Sequence, residues 1–547
     1  MDRIWKYKFH YLIVLPALLL IFIFKLIPMF QNIIYSLVDY EPFRGLWGSP
    51  WVGFDNFKAL FEEDFFWQTL RNTVVIQFGF VFVSALIALL LALALGAIPS
   101  RAVRAVFQTI FLIPYAVPSI FIAGMAMLLL SPDHSPLNLT DQLLLANPLW
   151  TKPIIITIEV FRSLGIPVLI GLAAILSNRA AQAAGEHARS NLAAAVRAIA
   201  AYSILCLSFL LSGQLELTAN LVYPLSRETG NTIDNYIMMN GLMIAKYSLA
   251  SAAGAIVSII QFVLVLLAYL LVRGKFLRDL FSGIQHRNAK QDANKKITWW
   301  GTAISAIYAA VVLLFLYFLL VDPFTRNSAS GVSLWDHISV WNIAGFTSIY
   351  LVAAVVFMLI TVTLAYPLTV KRLPGRSIYK LFLLFVLLFG SNLISEYMFY
   401  MELSMVNTMF PQMFIGFFAL ASVFVLKSIF NSRYSDLKEQ AEAGGRGELH
   451  TFFTLYIPKI WKPLLALGVL QFIALWNAYL PSIIYNARED GFSPVAKGFR
   501  LLMSDPANFT DPSVWQYCAI MSLPPIILLI VFRKWITSEV LTSQITK

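Results

Sequence analysis

Apolar runs of about 20 residues recur along the whole chain, each long enough to cross a bilayer as a helix. They fall near 11–30, 73–98, 105–130, 153–176, 199–215 and 247–272. A polar, basic segment follows at 273–296, and the runs then resume near 299–321, 347–370, 378–400, 411–430, 464–484 and 517–532. The pattern predicts an all-α integral membrane protein of about 12 transmembrane helices, arranged as two six-helix halves. The first half covers residues 1–272 and the second 298–547, with a cytosolic linker at 273–297. Arg3, Lys6 and Lys8 precede the first run, and no small-residue cleavage pattern follows it, so it reads as a retained span. Lys25 inside that run is expected to snorkel toward the outer face.

Composition agrees with this reading and adds an orientation. Of 547 residues, 59% are hydrophobic and only 13% charged, about half the charge of an ordinary soluble domain. A formal charge of +11 would point to nucleic acid in a soluble chain. In a membrane protein the same excess belongs to basic loops on the cytoplasmic side, and no nucleic-acid partner is expected. Most of the 40 Lys and Arg cluster accordingly at Arg101/Arg104, Arg179/Arg189/Arg197, the central linker, Lys371/Arg372/Arg376 and a polar stretch after Ser435. Both termini, the linker and that stretch are therefore expected in the cytoplasm of a bacterial cell, with the spans in its cytoplasmic membrane. Six spans per half is an even number, so the halves should run parallel. Cys206 and Cys518 sit in apolar surroundings, the six histidines show no metal-ligand spacing, and no phosphate-binding Gly-x-x-x-x-Gly-Lys-Ser/Thr loop occurs. The chain is not expected to hold a metal, a cofactor or ATP of its own.

The stretch Ser435–Pro458 has its own chemistry. Asp436 and Glu439 stand at capping-box spacing, which starts a short helix. Gly444-Gly445 breaks it, because glycine tolerates the positive φ of a tight turn. Leu449, Phe452, Phe453 and Tyr456 then recur at helical spacing, and Pro458 marks the return to the bilayer. The stretch resembles the coupling loop, or EAA loop, of ABC importer permeases. Glu439-Gln440-Ala441 stands for the family's Glu-Ala-Ala, Gly445 for its glycine and Ile457-Pro458 for its closing pair. Gln440 and Gly444 depart from the pattern, while the spacing is intact.

Other motifs extend the resemblance to the carbohydrate branch of that family. Tyr11–Ala17, Glu41–Phe57 and Arg71-Asn-Thr73 look like one permease subunit; Ala365-Tyr-Pro-Leu-Thr369, Gly375-Arg376 and Trp476-Asn477 look like its usual partner. The resemblance implies two permeases fused in one chain, with a type I importer fold and a coupling loop within 435–463. It implies an extracytoplasmic solute-binding protein that delivers a sugar, and separate cytosolic ATPase subunits that bind ATP. Glu439, Ala441, Gly445, Phe452, Phe453 and Pro458 are the implied coupling residues. In the first half Glu186 and Ala188 match the triplet, but Leu192 replaces the glycine, so that loop is expected to run as one helix.

Charges and amides inside spans are candidates for the substrate path, because ionisable groups in hydrocarbon are costly and face a cavity or a partner. Glu159 and Arg162 lie three apart on one helix face, which suits either a mutual pair or a hydrogen-bonding site for sugar hydroxyls near the outer mouth. Trp476 and Asn477 join a ring surface to an amide. Two other classes compete. A six-plus-six secondary transporter would want acidic residues deep in most spans or matched Gly/Pro interruptions. A membrane-bound transferase would want paired carboxylates or a histidine cluster, of which Asp133-His134 is a lone trace.

Overall fold

The computed structural model describes residues 7–137, 140–183, 185, 190–213, 215–273, 299–326, 333–370, 373–389, 392–433, 440, 444–445, 447–504 and 506–537. Helices form wherever an apolar run meets no breaker. In the first half they are α1 (Lys8–Ile21), α2 (Ile27–Leu37), α3 (Asp64–Ala97), α4 (Arg101–Ala116), α5 (Ser119–Leu129), α6 (Pro148–Ser163), α7 (Gly165–Ala183), α8 (Asn191–Ser208), α9 (Leu215–Leu221), α10 (Ile233–Met238) and α11 (Tyr247–Arg273). The second half holds α12 (Trp299–Leu320), α13 (Val340–Thr369), α14 (Arg376–Leu388), α15 (Leu393–Glu402), α16 (Leu420–Arg433), α17 (Ile457–Asn477), α18 (Leu480–Tyr485), α19 (Pro494–Ser504) and α20 (Pro512–Trp535).

The same order of elements occurs twice. The long α3 matches α13, the interrupted pair α4–α5 matches α14–α15, α8 matches α17, and α9–α10 match α18–α19 before a closing long helix, α11 or α20. The leading helices cross over: α1 packs on α13, and α12 packs on α3. One apolar core therefore runs through both halves, joining Val14 and Ile120 to Tyr350, Trp476 and Trp515.

The all-helical membrane architecture agrees with the sequence. Among the described residues ten helices are long and apolar enough to cross a membrane, or eleven if α4–α5, bent by 94°, forms one span. Besides the bend within 105–130 and the passage from α17 to α18 within 464–484, two further predicted spans are broken. The run at 153–176 straddles the junction of α6 and α7 at Gly165, where the backbone presses on α4. A Cβ at Gly165 would lie 2.3 Å from the Phe111 carbonyl oxygen. The run at 378–400 is split into α14 and α15, because Asn392 caps a new helix by accepting from the Ser395 N–H at 2.9 Å. Gly165→Val is accordingly expected to force α4 and α7 apart and lower the thermal unfolding temperature in detergent by several degrees. Unfolding at the wild-type temperature would show that the contact yields freely.

Proline placement explains a second difference. Pro28 and Pro458 each follow an isoleucine, and each is preceded by one π turn, Phe22–Leu26 and Phe452–Tyr456. Proline has no N–H and its ring crowds the carbonyl four residues back; the wider turn relieves both problems without ending the helix. Pro458 therefore marks no break, and the helix is continuous over Glu448–Asn477. Lys25 lies within the π turn near Pro28. Its Nζ lies 2.5 Å from Glu396 Oε1 on α15, so it pairs with the second half. Further along the same contact Asn392 Nδ2 donates to Asn32 Oδ1 at 2.7 Å, and Gln31 Nε2 and Tyr35 Oη donate to Glu402 at 2.8 and 3.1 Å. The first helix is thus stitched to the second half.

Candidate translocation path and coupling loop

The bend between α4 and α5 brings two helix ends to the boundary between the halves. Pro118 sits in the bend, and the last carbonyls of α4 lack intrahelical donors. Asn477, at the end of α17, supplies one: its Nδ2 donates to the Ala116 oxygen at 2.8 Å. Beside it Glu216 of α9 accepts from Ser119 Oγ at 3.3 Å and, more weakly, from the Leu480 N–H at 3.4 Å. Tyr479 Oη donates to the Glu216 backbone oxygen at 3.1 Å and accepts from Asn220. A carboxylate is thereby held at the seam by groups from both halves.

Glu159 and Arg162 lie in the last turns of α6. Glu159 is 1% exposed and accepts from Gln77 Nε2 of α3 at 3.2 Å. The Arg162 guanidinium lies within electrostatic reach of both Glu159 and Glu216. Gln77 stands twenty residues from the Ala97 end of α3, about 30 Å at helical rise. Trp476 is placed differently from a sugar platform. It is buried, its Nε1 donates to the Met521 oxygen at 2.9 Å, and its ring stacks on Phe472. Its surface is used in packing, whereas Asn477 faces the other half.

A polar cavity among the described residues was not foreseen from the sequence. It has a volume of about 310 Å³ and lies between α10–α11 of the first half and the α14–α15 junction of the second. Ser212, Asp234, Ser258, Gln261 and Asn392 contribute its polar groups, and Phe209, Ile237 and Leu393 are among its apolar walls. The Arg71-Asn-Thr73 motif fixes one side. Asn72 Nδ2 donates to the Glu228 and Asn231 oxygens at 2.8 and 3.1 Å, and Thr73 Oγ1 accepts from the Ile233 N–H at 2.8 Å. Those bonds set the start of α10, whose next residue is Asp234. Gly213 completes the corner: a Cβ there would lie 3.2 Å from Asp234 Oδ2. The only sequence signal was a set of isolated polar residues in apolar runs, scattered over some 180 positions.

At the opposite end of α17 lies the coupling stretch. Glu439 and Ala441 fall outside the described residues, as do Glu186 and Ala188. Gly445 has φ +67°, the left-handed conformation that the turn requires. Phe452 and Phe453 part company. Phe452 is buried against Tyr366, with ring centroids 4.8 Å apart, whereas Phe453 is 58% exposed and Leu449 is exposed on the same turn. Phe452 therefore anchors the helix base and does not project from it. A cross-half contact holds that base as well: His10 Nδ1 of α1 is 2.7 Å from Glu448 Oε2, and the His10 ring stacks on Tyr366 at 4.9 Å.

The first half's loop does not run as one helix. Helix α7 ends at Ala183, Gly185 turns with φ +79°, and α8 begins at Asn191 behind the Ser190 cap. A glycine turn is present, but Gly185 precedes Glu186, and Leu192 still holds the position of the family glycine.

A repeated bundle of membrane-length helices, with a polar cavity between the halves and a turn-bearing loop at one end, is an architecture suited to a solute permease. No protein-family profile matches the chain. Similar proteins include the Bacillus subtilis polygalacturonan/rhamnogalacturonan transport system permease protein YteP, 28% identical over 283 residues, which are 49% of this chain and 88% of that one. Protein LplB of the same organism is 27% identical over 282 residues, 48% and 88% of the two chains. The sn-glycerol-3-phosphate transport system permease protein UgpA of Pectobacterium atrosepticum is 35% identical over 124 residues, 22% of this chain and 40% of the relative. Among solved structures, a chain of a bacterial ABC transporter involved in the import of the acidic polysaccharide alginate aligns over 50% of this chain and 97% of its own, with 26% identity and a TM-score of 0.43. The chain is an ABC importer permease, a multi-pass membrane protein of a bacterial import system. Nearly the whole of YteP or LplB corresponds to about half of it, which fits two permeases fused in one polypeptide.

Proposed function

We propose that the chain forms the complete membrane pathway of an ATP-driven importer for a sugar or oligosaccharide. The observation that carries this reading is the polar cavity between two repeated halves of a chain whose relatives include polygalacturonan/rhamnogalacturonan and glycerol-3-phosphate permeases. Its size and mixed lining suit one or two sugar units. Residues 1–272 and 298–547 act as the two permease units and 273–297 as a cytosolic tether. Both termini lie in the cytoplasm, and the spans in the cytoplasmic membrane.

An extracytoplasmic solute-binding protein delivers the substrate to the seam around Glu159, Arg162, Glu216 and Asn477. Separate cytosolic ATPase subunits bind ATP and dock on the Glu439 loop, with exposed Phe453 and Leu449 as the apolar contact and Glu439, Ala441 and Gly445 shaping the helix that presents it. Glu186 and Ala188 form the smaller contact of the first half. Rocking of the halves exposes the cavity to each side in turn, and α17 is the rigid lever, since one continuous helix joins the loop base at Glu448 to the seam at Asn477.

Gentle purification of the tagged chain is expected to bring down an ABC ATPase, and the reconstituted complex to hydrolyse ATP faster when a loaded binding protein is added. Purification without any ATPase, together with uptake driven by an ion gradient, would overturn the importer reading. Co-expression of residues 1–285 and 286–547 as separate chains is expected to preserve uptake; loss of assembly with both pieces in the membrane would give the linker a structural role.

A further inference from the structure

Three arginines converge where α3 ends and α4 begins, and no carboxylate among the described residues pairs with them. Arg101 and Arg104 lie in the first turn of α4, and Arg179 lies one turn before the end of α7, which packs on both α3 and α4. Arg179 Nη1 donates to the Gly96 oxygen at 2.6 Å. Arg104 is 6% exposed, yet among the described residues it makes neither an ion pair nor a side-chain hydrogen bond. The charges that act on it are those of Arg179 and Arg101, both positive. Two carbonyls at the end of α3 are already used, Gly96 by Arg179 and Leu95 by the Ile98 N–H at 3.2 Å. A half-buried neighbour, Arg533 of α20, is satisfied by the Ala105 oxygen at 2.8 Å and by Thr109. A cation taken out of water calls for a counter-charge, and the chain brings only further positive charge to Arg104. Helical side chains lean toward the N-terminus of their helix, so Arg104 reaches back toward Arg101 and the start of α4. The first N–H groups of that helix add partial positive charge at the same place.

The surroundings put this cluster at the edge of the bilayer. Helix α12 packs on α3 and α4 and begins with Trp299-Trp300. Its backbone meets the end of α3, where a Cβ at Gly301 would lie 2.5 Å from the Ala94 oxygen. Trp299 is exposed there, as are Val103 and Val106 on α4. Tryptophan favours the headgroup layer, and exposed valines beside guanidinium groups set acyl-chain surface next to phosphate-binding groups. We propose that Arg101, Arg104 and Arg179 form a binding site for the phosphate of an anionic phospholipid headgroup, with the acyl chains lying along Val103, Val106 and Trp299. A guanidinium matches a phosphate with two parallel N–H bonds, and basic pockets between membrane helices hold such headgroups. Because Arg179 stands just ahead of the Gly185 turn, bound lipid braces the corner from which the first half's loop departs.

The test uses the full chain, purified in a neutral detergent, freed of native lipid and titrated separately with phosphatidylglycerol, phosphatidylcholine and inorganic phosphate. Lipid retention is read by native mass spectrometry and stability by the unfolding temperature. Phosphatidylglycerol is expected to be retained about tenfold more tightly than phosphatidylcholine. It should also raise the unfolding temperature by several degrees, which inorganic phosphate at the same concentration should not. Arg104→Gln is expected to erase most of the preference and to leave the lipid-free unfolding temperature at or above the wild-type value, since an uncompensated charge is removed. Arg104→Lys keeps the charge without the fork and should retain part of the preference. Arg101→Gln, at an exposed position, should weaken the preference without disturbing the fold. Equal retention of the two lipids by the wild type, or a preference that survives both glutamine variants, overturns the site. Stabilisation by inorganic phosphate equal to that by phosphatidylglycerol overturns the lipid assignment in favour of a soluble anion. Lipid-free Arg104→Gln that unfolds well below the wild type, with Arg101→Gln keeping the full preference, also overturns the site, because Arg104 then serves packing alone.

Discussion

Gly445→Val is expected to uncouple ATP hydrolysis from uptake while leaving the membrane helices folded. The glycine has φ +67°, and nothing lies within 4 Å of the position a Cβ would take. Added bulk therefore meets no neighbour, and the whole effect is conformational. A β-branched residue in the left-handed region costs roughly 1–3 kcal/mol, which the chain can avoid only by remodelling the turn. That turn joins the Glu439 segment to a lever whose base is held firmly by Phe452 against Tyr366 and by His10 against Glu448. Because these contacts hold the base, the strain is expected to fall on the turn itself. Binding-protein-stimulated ATPase activity in proteoliposomes should fall at least several-fold, with thermal unfolding unchanged. Gly445→Asn should be milder, since asparagine tolerates the left-handed region. Gly185→Val imposes the same strain, also with open space around it, on the first half's shorter loop and should cost less activity. Equal losses at the two glycines would remove the asymmetry, and full activity of Gly445→Val would remove the coupling role.

What the sequence made legible was set by the range of each signal. Unbroken apolar length announces a span, so the two sets of long helices and their order could be read directly. Turn glycines announce themselves too, and Gly445 adopts the conformation its motif required. Breaks inside apolar runs were hidden because their cause lies in another element: Gly165 gives way to the Phe111 carbonyl 54 residues earlier, and Asn392 starts α15 while bonded to Asn32. The cavity was hidden for the same reason, being assembled from single polar residues on separate helices. Asn72 and Thr73 were noted only as a motif, yet their contribution is to hold the backbone that presents Asp234. The partner of Lys25 was hidden as well, because Glu396 lies on a helix of the other half.

That pairing makes Lys25 the position where a single substitution should most disturb the joining of the halves. Its Nζ is 2.5 Å from Glu396 Oε1, with the two side chains only 20% and 12% exposed, and it sits above the Phe418 ring at 6.0 Å. Lys25→Met keeps the length of the side chain but strands the Glu396 carboxylate among aromatic neighbours. Removing one partner of a buried pair costs roughly 3–5 kcal/mol, and an apolar membrane setting offers little relief from water. The damage should spread along α15, since Asn392 at its start lines the cavity and Glu402 at its end holds Gln31 and Tyr35. Expected results are a marked drop in the detergent unfolding temperature and a parallel loss of uptake. Adding Glu396→Gln to Lys25→Met removes the stranded charge and should recover most of the stability, because the two residues act as one unit. Uptake then becomes the informative readout: recovery together with stability means the pair serves only to join α15 to the first helix, whereas a stable double variant that transports poorly means the charge pair also governs how α15 moves. A single Lys25→Met variant that unfolds at the wild-type temperature would show that Glu396 finds another partner and that the stitch rests on Asn32, Gln31 and Tyr35 alone.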